Sequence, residues 1–180
     1  MHMSQLSFGE FTQGRGYKTV DERVMRGSAG VMLFLAIIAS INGFVLDRYA
    51  IIPYISGFLA LNFLIGIAIN PKFSPTIWIA KFMVEGQTPL PIGAIQKKFA
   101  WSLGFILTLI TFILSLYLQN DVSYFDNVCM LCLICIGLLY LETAFGVCVG
   151  CKLYHLALSM KLLKAPEEKP NCMGDACDID

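Results

Sequence analysis

The sequence predicts an all-α fold: a polytopic membrane protein built as a bundle of four transmembrane helices, N-in and C-in. Three observations carry that expectation. The 180 residues are 57% hydrophobic and 14% charged, with a mean hydropathy of +0.68, whereas soluble domains average about a quarter charged residues. Four segments are each long and apolar enough to cross the hydrocarbon core, which takes about 20 residues of helix. Finally, a formal net charge of zero hides a strong asymmetry in where the basic residues fall.

Residues 1–27 form a cytoplasmic N-terminal segment. They are mostly polar and lack the short apolar core and small-residue cleavage site of a signal peptide. Residues 1–19, with Gly9, Gly14 and Gly16, read as irregular. In TVDERVMRGSAG, Thr19 followed three residues later by Glu22 matches a capping box, so a short lead-in helix should run into the first span. The spans themselves read as 28–46, 49–69, 99–118 and about 127–151, within a membrane domain of 28–156. The minimal link 47–48 makes the first two a tight hairpin. Loop 70–98 holds Pro71, Pro75, Pro89 and Pro91 and cannot be one helix. Within it, Trp78, Lys81 and Phe82 suit a segment lying in the membrane interface. Residues 157–180 form a polar C-terminal tail.

Orientation follows from the bases. Arg15, Lys18, Arg23 and Arg26 precede the first span; Lys72, Lys81, Lys97 and Lys98 lie between the second and third; Lys152, Lys161, Lys164 and Lys169 follow the fourth. The other two links hold only Arg48. Positive charge stays inside, so both termini and loop 70–98 are expected in the cytoplasm.

Cysteine is the unusual residue, with seven copies in three groups: Cys129, Cys132 and Cys135; Cys148 and Cys151; Cys172 and Cys177. On one continuous helix Cys132 and Cys148 would stand roughly 24 Å apart, too far to exchange thiols directly. The bland role for any of them is that of a small apolar packing residue. Cys148 and Cys151 have more to recommend them, as a Cys-x-x-Cys pair beside Lys152. A nearby cation favours thiolate, the reactive form. The C-terminal dipole of a continuous fourth helix opposes that effect. A regular helix also strains a disulfide at that spacing, which a break at Gly146 or Gly150 would relieve. The same two glycines form a G-x-x-x-G, the spacing that lets membrane helices approach closely.

Two further candidates flank the pair. His155 shares a helical stripe with Cys148 and Cys151, so the three could hold Cu(I) or Zn(II), with a fourth ligand from Cys172 or Cys177. No cofactor is required by the sequence. Glu142 is the only carboxylate inside a predicted span, a costly place that marks it as an intramembrane polar site. Its alternative is a protonated acid bonded to Asn42, Asn62 or a neighbouring Ser or Thr. No phosphate loop, catalytic triad or basic patch for nucleic acid is present, and the lipid bilayer is the first partner implied.

VDERVMRGSAG, NPKFSP, KKFAW and FGVCVGCKLY together resemble a bacterial membrane protein family catalogued as domain-of-unknown-function 4395, over about residues 19–156. The resemblance implies its four-helix architecture and a bacterial inner membrane location. It nominates Cys148, Cys151, Gly146 and Gly150 as characteristic positions. It also implies thiol or sulfur traffic, because such proteins are associated with thioredoxin-like or rhodanese-like soluble partners. Ser28 stands where the family commonly has Asn, and the cysteine-bearing tail after Pro166 is this chain's own.

The expected function is thus a membrane thiol-redox or sulfur-handling component using Cys148 and Cys151 at the cytoplasmic face. Two other classes stay open: a small oligomeric transporter or channel for a sulfur species or soft metal, and a non-catalytic accessory subunit of a larger membrane complex. Whether the protein is an enzyme is left open.

Overall fold

A computed structural model describes residues 8–11 and 16–161. Lys164, Lys169, Cys172 and Cys177 lie outside the described residues. The chain is mostly helical, and four helices are long and apolar enough to cross a membrane: Glu22–Phe44, Ile51–Ala68, Ala94–Leu118 and, with a short lead-in turn, Val122–Phe145.

Residues 8–11 and 16–21 contain regular structure that the glycines of this segment do not suggest. Strand β1 (Glu10–Phe11) pairs antiparallel with β2 (Lys18–Asp21), which pairs antiparallel with β3 (Pro91–Gly93). Thr19 therefore sits in a strand opposite Gly93 and does not cap α1 (Glu22–Phe44). The cap is Asp21, whose Oδ1 accepts from Arg23 N–H at 3.1 Å and from Leu90 N–H at 3.1 Å. One carboxylate thus satisfies an orphan helix donor and fastens the helix start to the chain before β3. The predicted lead-in continues without a break into the first span.

Helix α2 (Ile51–Ala68) returns the chain to the end where α1 began. A 3-10 turn (Pro71–Phe73) and helix α3 (Pro75–Met83) follow, each opened by a proline at a position that needs no N–H. On α3, Ala80 is fully buried, and a Cβ on Gly27 of α1 would come within 3.2 Å of it. Trp78, Phe82 and Met83 stay exposed, the division expected of an interfacial segment. A buried polar network pins α3 to the bundle. Asn62 Oδ1 accepts from Thr76 N–H at 3.1 Å and from Thr76 O–H at 3.0 Å, and Ser28 lies 2.7 Å from the same hydroxyl. Asn62→Ala leaves the Thr76 N–H buried without an acceptor, at about 1–3 kcal/mol, while the hydroxyl can turn to Ser28. Unfolding of the purified variant should show that loss, and unchanged stability would mean α3 is held otherwise.

Helix α4 (Ala94–Leu118) starts five residues earlier than the apolar run alone suggests, which brings Lys97 into the helix. The core beneath it is formed by Met25, Met32, Leu59, Phe63, Ile77 and Trp101. Helix α5 (Phe125–Phe145) then ends well before residue 151. Gly146 adopts a left-handed conformation (φ 69°), its N–H bonding Glu142 O at 3.1 Å and Val147 N–H bonding Leu141 O at 3.1 Å. This is the Schellman stop that glycine favours. Arg26 seals it from α1, donating to Thr143 O at 2.8 Å and Ala144 O at 2.7 Å. The fourth apolar segment is therefore two helices, α5 and the short α6 (Val149–Ser159). The single span read as about 127–151 is thus interrupted, and the break falls at Gly146. The N-terminal sheet, α3 and α6 all gather at one end of the bundle.

Candidate functional site

The break decides the chemistry of the cysteine pair. Cys148 is not inside a helix. It is the N-cap of α6, with extended backbone (φ −84°, ψ 99°), and its Sγ accepts from Cys151 N–H at 3.4 Å. On a continuous fourth helix the C-terminal dipole would disfavour thiolate. Here the N-terminal end of α6 faces the sulfur, and the sign is reversed. The Cys148 thiol is held below its ordinary value, chiefly by a hydrogen bond from the Cys151 side chain; the Lys97 ammonium and Cys151 N–H act the same way, while burial and Glu142 oppose them. Cys151 is pushed strongly upward, by that same hydrogen bond first and then by burial. The two thiols are thus unequal, one suited to attack and the other to hold its proton.

Lys97 is the residue that sequence reasoning missed. It is 1% exposed, and its Nζ lies 2.8 Å from Glu142 Oε1 and 3.3 Å from Glu22 Oε1. Glu22 Oε2 is at 3.0 Å, within ion-pair range but without hydrogen-bond alignment. One lysine on α4 therefore joins carboxylates on α1 and α5. Lys97 had the look of a topology-setting charge, since it opens KKFAW at the edge of an apolar run. The signal that could have found it was Glu142 itself, because an intramembrane carboxylate needs a partner. Neither asparagine serves: Asn42 Nδ2 donates to Ile38 O at 2.8 Å, and Asn62 holds Thr76. Lys152, the expected cation, is exposed.

The other sequence candidates separate. Gly150 makes the close approach: a Cβ there would sit 2.6 Å from Ala100 Cβ and 2.7 Å from Ala100 Cα. Gly146 serves as the helix stop, so the G-x-x-x-G divides into two different roles. His155 shares α6 with Cys151, but it, Cys148 and Cys151 do not gather into a metal-holding group. Its Nε2 is instead 3.2 Å from Gln96 Nε2. Among the described residues no three Cys, His, Asp or Glu form a metal-holding group. Cys129, Cys132 and Cys135 are free and half-buried on α5, with Cys132 packed on a cluster of Ile52, Leu118 and Val128.

Compared with known proteins, residues 20–158 match the model of one family, described as "Domain of unknown function (DUF4395)". No curated protein and no solved structure matches the chain.

Proposed function

The chain belongs to the DUF4395 family, and we propose that it is a membrane-embedded thiol exchanger with Cys148 as nucleophile and Cys151 as resolving thiol. One observation carries this reading: Cys148 Sγ caps α6 and receives the Cys151 N–H, beside a lysine buried between two carboxylates. Packing alone would not require that arrangement.

In the forward step Cys148 thiolate attacks one sulfur of a partner disulfide, forming a mixed disulfide and releasing the partner's other thiol. Cys151 then loses its proton and attacks Cys148 Sγ, which releases the partner as a dithiol and leaves a Cys148–Cys151 disulfide. A partner persulfide would be handled by the same nucleophile: Cys148 takes the outer sulfur and the partner departs as a thiol. Thioredoxin-like and rhodanese-like soluble proteins suit the two variants. The distribution of bases favours a bacterial cytoplasmic membrane with this end of the bundle inside. Single cysteines introduced into residues 119–126 on a cysteine-free background should then react with an impermeant thiol reagent in intact cells. Labelling of 70–93 from outside would reverse the orientation.

The direct test of the reading is the pH profile of alkylation, followed by mass at each cysteine. A depressed thiol keeps more thiolate as pH falls, so the Cys148 rate should inflect below the ordinary value of about 8.5. Cys151→Ala removes the S–H donor while keeping the backbone N–H, and should move the inflection upward. Serine at either position should abolish exchange as fully as the double substitution, because the pair works as a unit. A Cys148 profile like that of a free cysteine, insensitive to Cys151→Ala, would reduce the pair to packing.

A further inference from the structure

A cavity of about 340 Å³ opens between α4 and α5 and runs to the thiol site. Its size falls within the range of about 300–1,000 Å³ usual for small-molecule pockets. Met32, Phe63 and Trp101 line its buried floor, and the half-exposed Leu103, Ile106 and Leu138 line its mouth. Those mouth residues lie within spanning segments, so the entrance faces the lipid. Cys148, Gly150 and Glu142 also line it. Cys151 is buried and does not line it.

We propose that this cavity receives the ring of a membrane-soluble quinone, which accepts the two electrons of the Cys148–Cys151 dithiol. The inference rests on the thiol-exchange reading run in reverse, in which a partner dithiol reduces the Cys148–Cys151 disulfide and leaves as a disulfide. The quinone is then the second substrate that takes up the reducing equivalents. A dithiol that becomes a disulfide loses two electrons and two protons. A carrier that takes both, dissolves in lipid and is mostly apolar is a quinone, and the cavity is mostly apolar, lipid-facing and ends on the attacking thiol. A lipid acyl chain would also fit the walls, yet it would leave Cys148 and Glu142 on an apolar surface with nothing to do.

The step balances. Cys148 thiolate adds to a ring carbon, forming an S–C bond while a ring oxygen gains a proton. Cys151 then loses its proton and attacks Cys148 Sγ. The S–C bond breaks, its electron pair returns to the ring, and the second ring oxygen is protonated. The products are one disulfide and one quinol. Glu142, on the cavity wall and 2.8 Å from Lys97 Nζ, stands where a proton must reach the ring. Cys148 reaches the cavity and Cys151 does not, which matches the order of the two attacks.

The test uses the purified full-length protein, reduced and reconstituted in nanodiscs, mixed anaerobically with a short-chain ubiquinone or menaquinone. Quinol formation is followed by absorbance and the cysteines by mass. One quinol per Cys148–Cys151 disulfide is expected. Leu103→Trp and Leu138→Trp, at the mouth, should slow the reaction at least about tenfold and leave the Cys148 alkylation profile unchanged. No quinol from a protein whose Cys148 profile is intact would overturn the quinone and leave the thiol reading standing. So would quinol formed at full rate by both tryptophan variants, which would place the reaction elsewhere. A free-cysteine profile at Cys148 would instead remove the reading on which the inference rests.

Discussion

Lys97→Met is expected to destabilise the protein by about 3–5 kcal/mol, the usual cost of removing one partner from a buried ion pair. Lys97 is almost wholly enclosed and is the cation between Glu22 and Glu142. Methionine keeps much of the volume but leaves two carboxylates facing each other with no counter-charge. The damage should therefore come from those carboxylates, and their removal should reverse it. Adding Glu22→Gln and Glu142→Gln to Lys97→Met should recover most of the loss, because a buried charged group replaced as a whole is often close to neutral. Unfolding midpoints in detergent read the stability. The alkylation profile of Cys148 reads the site, and Lys97→Met alone should move it upward. The triple variant should bring it back at least to the parent, because Glu142 opposes the thiolate more strongly than Lys97 favours it. Burial opposes thiolate, and the Lys97 charge is one of the influences offsetting it. Parental stability in Lys97→Met would mean that the three charges do not share a buried site.

How much of this was legible in the sequence depends on whether a feature was local. The four spans were, because twenty apolar residues in a row admit few alternatives. So were the broken loop 70–98, with its prolines, and the amphipathic α3. The start of α1 was misread because a capping box is a pattern of side chains alone. Thr19 fits it, but β3 claims Thr19 for a strand from more than seventy residues away, and the cap passes to Asp21. Lys97 was misread for a similar reason: a lysine at the edge of an apolar run satisfies the positive-inside rule whether or not it is buried. Its burial depends on Glu22 and Glu142, which are distant in sequence.

The cysteine pair shows how one local event reorganises a site. Residues 145–154 suggested chemistry, but the direction of the helix field depended on whether the fourth segment was continuous. The left-handed Gly146 and the Arg26 hydrogen bonds to Thr143 and Ala144 end α5. A new helix begins three residues later, with Cys148 at its positive end. The sequence left Cys148 and Cys151 equivalent; the break sets Cys148 at the helix end and Cys151 in its first turn, which distinguishes them.

Gly150→Ala should separate packing from chemistry most sharply. In the first turn of α6 the backbone passes so close to α4 that an added Cβ would meet the Ala100 backbone at 2.7 Å as well as the Ala100 methyl at 2.6 Å. A backbone atom cannot rotate away, so α6 must lift from α4. Overpacking of this kind costs about 1–3 kcal/mol, and Gly150→Leu should cost more. The functional loss should exceed the stability loss, because α6 carries the Cys151 N–H and α4 carries Lys97. Cys148 caps α6 and moves with it, keeping the Cys151 N–H, so lifting α6 takes the sulfur away from Lys97 on α4, and the alkylation profile should shift upward. Ala100→Gly in the same chain removes the methyl from the clash but leaves the backbone in place, so it should restore the site only in part. Gly137→Ala is the control: on α5 nothing lies within 4 Å of the added Cβ, and stability and profile should both be unchanged. If Gly150→Ala behaves like Gly137→Ala, α6 does not pack against α4 at that point, and the placement of Cys148 near Lys97 loses its support.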